Sequence, residues 1–308
     1  MKKQISLLLV LLLLLAGCGT ERKAEETEKL IVVTSFYPVY LLAQAATEGT
    51  TGIELKNMAQ PQTGCLHDYE LTISDMKRLE GADVLLINGG GMESFLTQAM
   101  ERYPELTVID TSKGVALLKE EGHHHHGEET EESHSEEGNP HLWLSPARAA
   151  AQVETIAEEL GKRDQAEQAV LLKNADAFRK KAEALQREAA AIGLPQETYA
   201  AVFHEGFAYL AELFGMQPVC SIFADEYQIP SAKELAEATE EAKLHGVQFF
   251  LTADDTGKTY ARTIAEELEQ SVLILDPLTT GEDTPRSYLE RMEENIRIID
   301  TYWKERTR

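Results

Sequence analysis

Basic residues are scarce in this chain. Lysine and arginine total 29 against 53 aspartates and glutamates, a formal charge of −24. A surface of that sign repels phosphate backbones and anionic headgroups, which excludes nucleic acid as a partner. Cysteine is scarcer still, with Cys18, Cys65 and Cys220 the full set of three. The two that follow Cys18 are too few for a disulfide scaffold. A single Cys65–Cys220 bridge and two separate buried thiols are both open from spacing alone. A soft-metal site through Cys65, close to His67, ranks below either. Long apolar runs are absent after the first residues, so no later segment reads as a membrane span. No HExxH pair appears, and Gly89–Gly91 lacks the GxGxxG or Lys-Ser/Thr context of a phosphate cradle, so it reads as a turn.

The chain starts with Lys2 and Lys3, an apolar run over Ile5–Leu15, and then Leu15-Ala16-Gly17-Cys18. Residues 1–17 have the layout of a secretory signal, too short to span a bilayer comfortably. The cysteine after LAG resembles the bacterial lipobox, in which cleavage leaves Cys18 as the lipidated N-terminus. Removing Lys2 and Lys3 makes the remainder more negative by two charges. Residues 18–29 are polar and without periodicity, a flexible tether. The expected location is outside the cytoplasmic membrane, anchored to it by lipid.

From Leu30 onward, short apolar runs alternate with helical patterns. Leu30–Ser35, Ile53–Ala59, Asp83–Asn88 and Thr107–Asp110 read as strands, with helices from Pro38, over Ser74–Glu80 and over Met92–Tyr103. This is the pattern of a parallel sheet covered on both faces. Ser145-Pro146 is a helix start, and helical composition then runs almost unbroken to Ile192. Leu171, Phe178, Leu185 and Ile192 recur every seven residues with Ala175, Ala182 and Ala189 between them, a narrow apolar seam on a charged rod. Tyr199–Phe203, Gln217–Phe223, Val247–Thr252 and Val272–Leu275 then read as four more strands with helices between and after them. The expected fold class is α/β: two (β/α)4-type lobes with mostly parallel sheets, residues 30–164 and 193–308, joined by one long rigid helix over 165–192.

Ligands of open parallel sheets bind beyond the carboxyl ends of the strands. His67 follows the second strand, His204 ends Tyr199–Phe203, Asp276 ends Val272–Leu275, and His141 follows an acidic tract that leaves the fourth strand. Three imidazoles and a carboxylate, two from each half, make a suitable shell for Zn2+. Of nine histidines, five lie in the tract, three are at strand ends, and His245 ends a helix.

These residues carry a resemblance. PQTGCLHDYELTISDMKRLEGADVLLINGGGMESFL is similar to a segment with the pattern Pro-x-x-x-x-His-x-Tyr-Glu-Pro and a following Asp. NPHLWLSP resembles Asp-Pro-His-x-Trp-Leu-x-Pro, VFHEGFAYLAELFG resembles Phe-His-x-x-Phe-x-Tyr-Leu, and LDPL resembles a last, weaker segment. The family is the zinc/manganese class (cluster A-I, cluster 9) of ABC-transporter substrate-binding lipoproteins. The resemblance implies a metal held between two lobes by His67, His141, His204 and Asp276. It also implies delivery to a membrane permease with a cytoplasmic ATPase. The chain is expected to act as a monomer. Leu71 stands where proline is usual and Asn139 where aspartate is usual, and neither is expected to touch a ligand. Asp68 and Glu205, each beside a ligand histidine, are placed to orient outer hydrogen bonds or to be plain surface charge.

Histidine at the third ligand position and a histidine-rich acidic loop resemble the zinc branch, with Mn2+ the alternative cargo. A zinc-dependent hydrolase, with water at an open coordination position, is a further alternative. An extracellular adhesin or scaffold with a structural ion is another. Within the loop over about 119–138, His123, His124, His125, His126 and His134 lie among glutamates with no apolar anchor. They are expected to be low-affinity accessory metal ligands or a tolerated insertion, because binding there must order the chain.

Overall fold

The computed structural model describes residues 28–60, 69–96, 100, 102–119, 138–221, 230–253, 255–281 and 288–308. The signal and tether, Cys18, Cys65, His67, Asp68, His123–His126 and His134 lie outside the described residues.

The first half holds β1 (Leu30–Thr34), α1 (Tyr37–Thr47), β2 (Ile53–Asn57), α2 (Ile73–Leu79), β3 (Val84–Ile87) and β4 (Thr107–Asp110). All pairings in its sheet are parallel, in the order β2-β1-β3-β4. β1 and β3 form the middle of the sheet. Val32, Val33, Leu85 and Leu86 are fully buried there, as aliphatic residues covered on both faces should be. The second half holds β5 (Tyr199–Val202), β6 (Gln217–Ser221), β7 (Phe249–Thr252) and β8 (Val272–Ile274), again parallel and in the matching order β6-β5-β7-β8. Each sheet therefore reverses its winding beside its first strand, β1 or β5, and a crevice opens at the carboxyl ends of those strands.

The helical stretch after Pro146 is two helices, α3 (Pro146–Arg163) and α4 (Gln168–Ala191). The break falls at Asp164–Glu167. The Asp164 carboxylate accepts from Ala166 N–H, and Glu167 reaches back to the Thr51 and Gly52 N–H groups near the start of β2. Both carboxylates are thus spent on backbone donors at the turn, and α4 folds back along α3. The α4 seam is buried at Leu171, Ala175, Phe178, Ala182, Leu185 and Ala189. It packs on α3 and α1 of the first half and on α8 (Tyr288–Arg306) and α5 (Phe207–Phe214) of the second. This is how one helix joins two lobes.

Two local expectations change. Ser145 occupies the N-cap position of α3, yet its hydroxyl makes no cap bond and instead accepts from Arg148, which is drawn toward an ion pair with Glu212. In Met92–Tyr103 the described residues hold a 3-10 turn, Ser94–Leu96, ahead of helical Met100, and Glu93 just before the turn reaches inward to bind the backbone at Asn88 and Gly89. The remaining helices, α6 (Ala232–His245) and α7 (Asp255–Glu267), flank the second sheet. No helix among the described residues is long and apolar enough to cross a membrane.

Candidate metal centre

The segment Asn139–Ser145 lies between the lobes and is bonded to both. Asn139 pairs with Leu118 in a single antiparallel bridge. Leu142, Trp143 and Leu144 form a 3-10 turn with no exposed surface. Trp143 packs edge-on against Phe36 of the first lobe and donates its indole N–H to the Pro277 carbonyl of the second, at 2.9 Å. Tyr288 donates its hydroxyl to the Trp143 carbonyl, and Tyr209 donates its own to the Asn139 carbonyl. An Arg148–Glu212 ion pair adds a tie at the rim. A polar backbone trapped between lobes must find such partners, and here they come from the opposite lobe.

His141 projects from this segment and is 1% exposed. Its ring centroid lies 5.2 Å from that of His204, which follows β5 at the crevice of the second sheet. The two histidines, expected from opposite halves, are neighbours. Close approach depends on Gly206. A Cβ built there would lie 2.9 Å from the His141 Cβ and Cδ2 and 2.6 Å from Leu144 Cδ1. The Gly206 backbone is ordinary right-handed helix, so the need is for space and not for unusual dihedrals. The same residue donates its N–H to His204 Nδ1 at 3.1 Å.

Asn139 touches a ligand candidate, contrary to expectation. Its Oδ1 accepts from both the backbone N–H and Nδ1 of His141, each at 3.0 Å, and its Nδ2 donates to the Glu205 carbonyl at 2.9 Å. Sequence position concealed this because the side chain bends back over a two-residue turn.

Asp276 follows β8 as anticipated, but its carboxylate is engaged. Arg291 of α8 donates Nε to Oδ2 and Nη2 to Oδ1, both at 2.6 Å, in a bidentate pair. Arg291 also donates to the Thr280 carbonyl and lies over the Tyr37 ring of the first lobe. Asn295 brackets the residue, accepting from Asp276 N–H and donating to its carbonyl. Pro277 links this loop through Trp143 to the His141 segment. Among the described residues, no three histidine, cysteine, aspartate or glutamate side chains are gathered as a metal shell. His141 and His204 are brought together, Asp276 faces Arg291, and His67 is outside the described residues.

The first lobe supplies a polar floor that sequence reading missed. Glu93 is buried and accepts from Ser35 Oγ and Asn88 N–H through Oε1, and from Gly89 N–H through Oε2. Burial pushes its carboxyl up to about 7, against the three hydrogen bonds that favour the charged form. Asn88 then donates to the Pro140 carbonyl and accepts from Gln152, which couples the floor to the residue before His141. The only signal in the sequence was a lone Glu two residues after Gly89–Gly91, inside a stretch read simply as a turn and a helix. Beyond His67, Tyr69 donates to Asp75, and Asp75 also accepts from the Thr72 N–H and hydroxyl to close a capping box on α2. Leu71 packs in the small core beneath this loop. Of the two cysteines, Cys220 is a free thiol buried in the second lobe's outer core, where burial pushes its pKa up to about 12.

Comparison with known proteins agrees with this fold. The model of the ZnuA family, "Zinc-uptake complex component A periplasmic", matches residues 32–302. The zinc-binding lipoprotein AdcA of Streptococcus pneumoniae is 32% identical over 308 residues, covering 96% of this chain and 60% of that protein. The chain thus spans about 60% of the length of the first curated relatives it matches. The high-affinity zinc uptake system protein ZnuA of Bacillus subtilis is 28% identical, with 92% of each chain covered. Among solved structures, a zinc(II)-bound variant of AdcAII from Streptococcus pneumoniae superposes with a TM-score of 0.74 at 26% identity, covering 90% of this chain and 99% of that one.

Proposed function

The chain belongs to the ZnuA family, and from that premise we propose that it is a binding component that captures Zn2+ outside the cytoplasmic membrane. It delivers the ion to an ABC permease driven by a cytoplasmic ATPase. The observation that carries this reading is the pair His141 and His204, one imidazole from each lobe, 5.2 Å apart between ring centroids at the crevice of the sheets. The ligands in this reading are His67, His141, His204 and Asp276. An imidazole-rich set suits zinc over manganese, which prefers oxygen.

Coordination would rearrange two of these residues. His204 Nδ1 accepts from Gly206 N–H, so in the neutral ring the proton sits on Nε2. Binding through Nε2 requires that proton to move and the Gly206 contact to open. Asp276 has to share or leave its bidentate pair with Arg291. Both changes cost binding energy, which favours an ion that can be handed on. Cys18 carries the lipid anchor, and His123–His126 with His134 collect zinc weakly. The hydrolase reading has no support from the family, whose description is an uptake component.

The test is metal analysis of untagged mature protein followed by zinc and manganese titration. One tight zinc site, lost in both His141→Ala and His204→Ala, is the expected result. Absence of tight zinc binding in the unaltered protein would sink the proposal.

A further inference from the structure

We propose that Asn139 is a positioning residue for metal capture, orienting His141 through its amide oxygen and clasping the second lobe through its amide nitrogen. The inference rests on the reading that His141 and His204 are ligands.

The orientation of the Asn139 amide is determined by two backbone groups whose polarity cannot change. The His141 backbone N–H is a donor 3.0 Å from one end of the amide, and the Glu205 carbonyl is an acceptor 2.9 Å from the other. Oxygen must face the first and nitrogen the second. His141 Nδ1, 3.0 Å from that same oxygen, is then a donor and carries the ring proton. The neutral ring then carries its lone pair on Nε2, the nitrogen through which it would meet a cation. A hydrogen bond on the far ring nitrogen is a general means of holding a metal-binding histidine in one tautomer.

The nitrogen end has a separate consequence. Glu205 directly follows His204, so the Asn139–Glu205 bond joins the two ligand-bearing segments across 66 residues of sequence. Asn139 is 4% exposed, and its backbone is held independently by Leu118 and Tyr209. The side chain is therefore available to the His141 ring and the Glu205 carbonyl. An aspartate, usual in the resembling motif, would still accept from His141. Its second oxygen would face the Glu205 carbonyl, acceptor against acceptor, and the cross-lobe bond would be lost. This chain has exchanged a charged outer partner for a neutral one that spans the crevice. His141 is aligned before the cation arrives and the His204 segment is held close to it, which reduces what binding must order.

The experiment uses the full mature protein, with zinc alone as the probe. Zinc affinity is measured by competition with a chromogenic chelator. The His141 tautomer is read in the metal-free protein from nitrogen-15 ring spectra, and overall opening from small-angle X-ray scattering. Unaltered protein should show Nδ1 protonated. Asn139→Ala should show mixed tautomers and affinity lower by about 10–100-fold with unchanged circular dichroism. Asn139→Asp should restore the single tautomer yet give a larger metal-free radius of gyration. Should the alanine variant fail to fold, the aspartate variant still decides the clasp through the radius of gyration, and Asn139→Leu, which keeps the bulk and removes the acceptor, decides the orienting role through the tautomer. An unchanged tautomer and affinity in Asn139→Ala would overturn the orienting role, and an unchanged radius in Asn139→Asp the clasp. His141→Ala is the separate control. If it keeps the tight site, the ligand reading itself fails; if it loses the site while Asn139→Ala does not, only this inference fails.

Discussion

The indole N–H of Trp143 meets the carbonyl of Pro277 at 2.9 Å, so the residue two beyond His141 is bonded to the residue directly after Asp276. One hydrogen bond thereby couples the positions of two candidate ligands from opposite lobes. Trp143 is fully buried and its ring lies beside His141, with centroids 5.0 Å apart.

Trp143→Phe keeps most of the apolar burial and removes this donor. The orphaned carbonyl should cost about 1–3 kcal/mol, read as a lower urea midpoint. Zinc affinity should fall as well, since the Asp276 loop loses its tie to the His141 segment. Unchanged affinity would mean that the bond serves stability alone.

Gly206→Ala introduces only a methyl group, at a backbone conformation that alanine favours. Overpacking against His141 and Leu144 should cost about 1–3 kcal/mol. Its larger effect should be on zinc affinity, by pushing the two imidazoles apart. A variant with normal zinc binding would show that the ring pair tolerates displacement.

Arg291→Met leaves Asp276 without its counter-ion. Removing one partner of a fully buried pair costs about 3–5 kcal/mol. The Asp276 side chain is 35% exposed, so water reduces that loss. Saturating zinc should then raise the melting temperature of the variant more than that of the unaltered protein, because the ion replaces the missing charge. Equal shifts would indicate that Asp276 does not bind zinc.

Glu93 predicts a particular slope of stability with pH. Its folded carboxyl is raised from the ordinary 4.5 to about 7, so its contribution is fully present below 4.5 and lost as pH rises through about 7. Glu167 has the opposite sign. N–H groups of Gly52 and Thr51 hold it below the ordinary range, so its contribution is present above that range and disappears on acidification. Urea midpoints between pH 5 and pH 8, the span over which Glu93 titrates, should fall with rising pH in the metal-free protein, and Glu93→Gln should flatten that fall. An identical slope in the variant would remove Glu93 as the cause.

Cys220 should stay unlabelled by maleimide at neutral pH in the folded protein and react once it is unfolded, since a thiol pushed up to about 12 holds little thiolate. Peptide mass spectrometry reads this directly. A Cys220 peptide recovered in disulfide linkage to Cys65 would contradict the free buried thiol.

Much of the architecture was legible from residue order. Strand and helix periods are local properties, and an apolar run such as Val84–Ile87 or the α4 seam reports its burial through spacing alone. The division of the helical stretch at Asp164 was less legible, because its cause is Glu167 reaching the Thr51 and Gly52 backbone more than a hundred residues earlier. His141, His204 and Asp276 could be named as candidates because parallel sheets collect ligands at strand ends.

What residue order determined by itself was therefore the α/β alternation, the linking helix and the candidate chemistry-bearing side chains. Tertiary structure alone decided how those side chains are held. Asn139 bonded across the cleft to Glu205, Gly206 vacating space for His141, Arg291 gripping Asp276 and Glu93 buried beneath Asn88 are all contacts of specific geometry. Periodicity reports which face of an element is buried. It carries no information about which donor meets which acceptor once two lobes close on one another, and that pairing sets the state of the candidate metal centre.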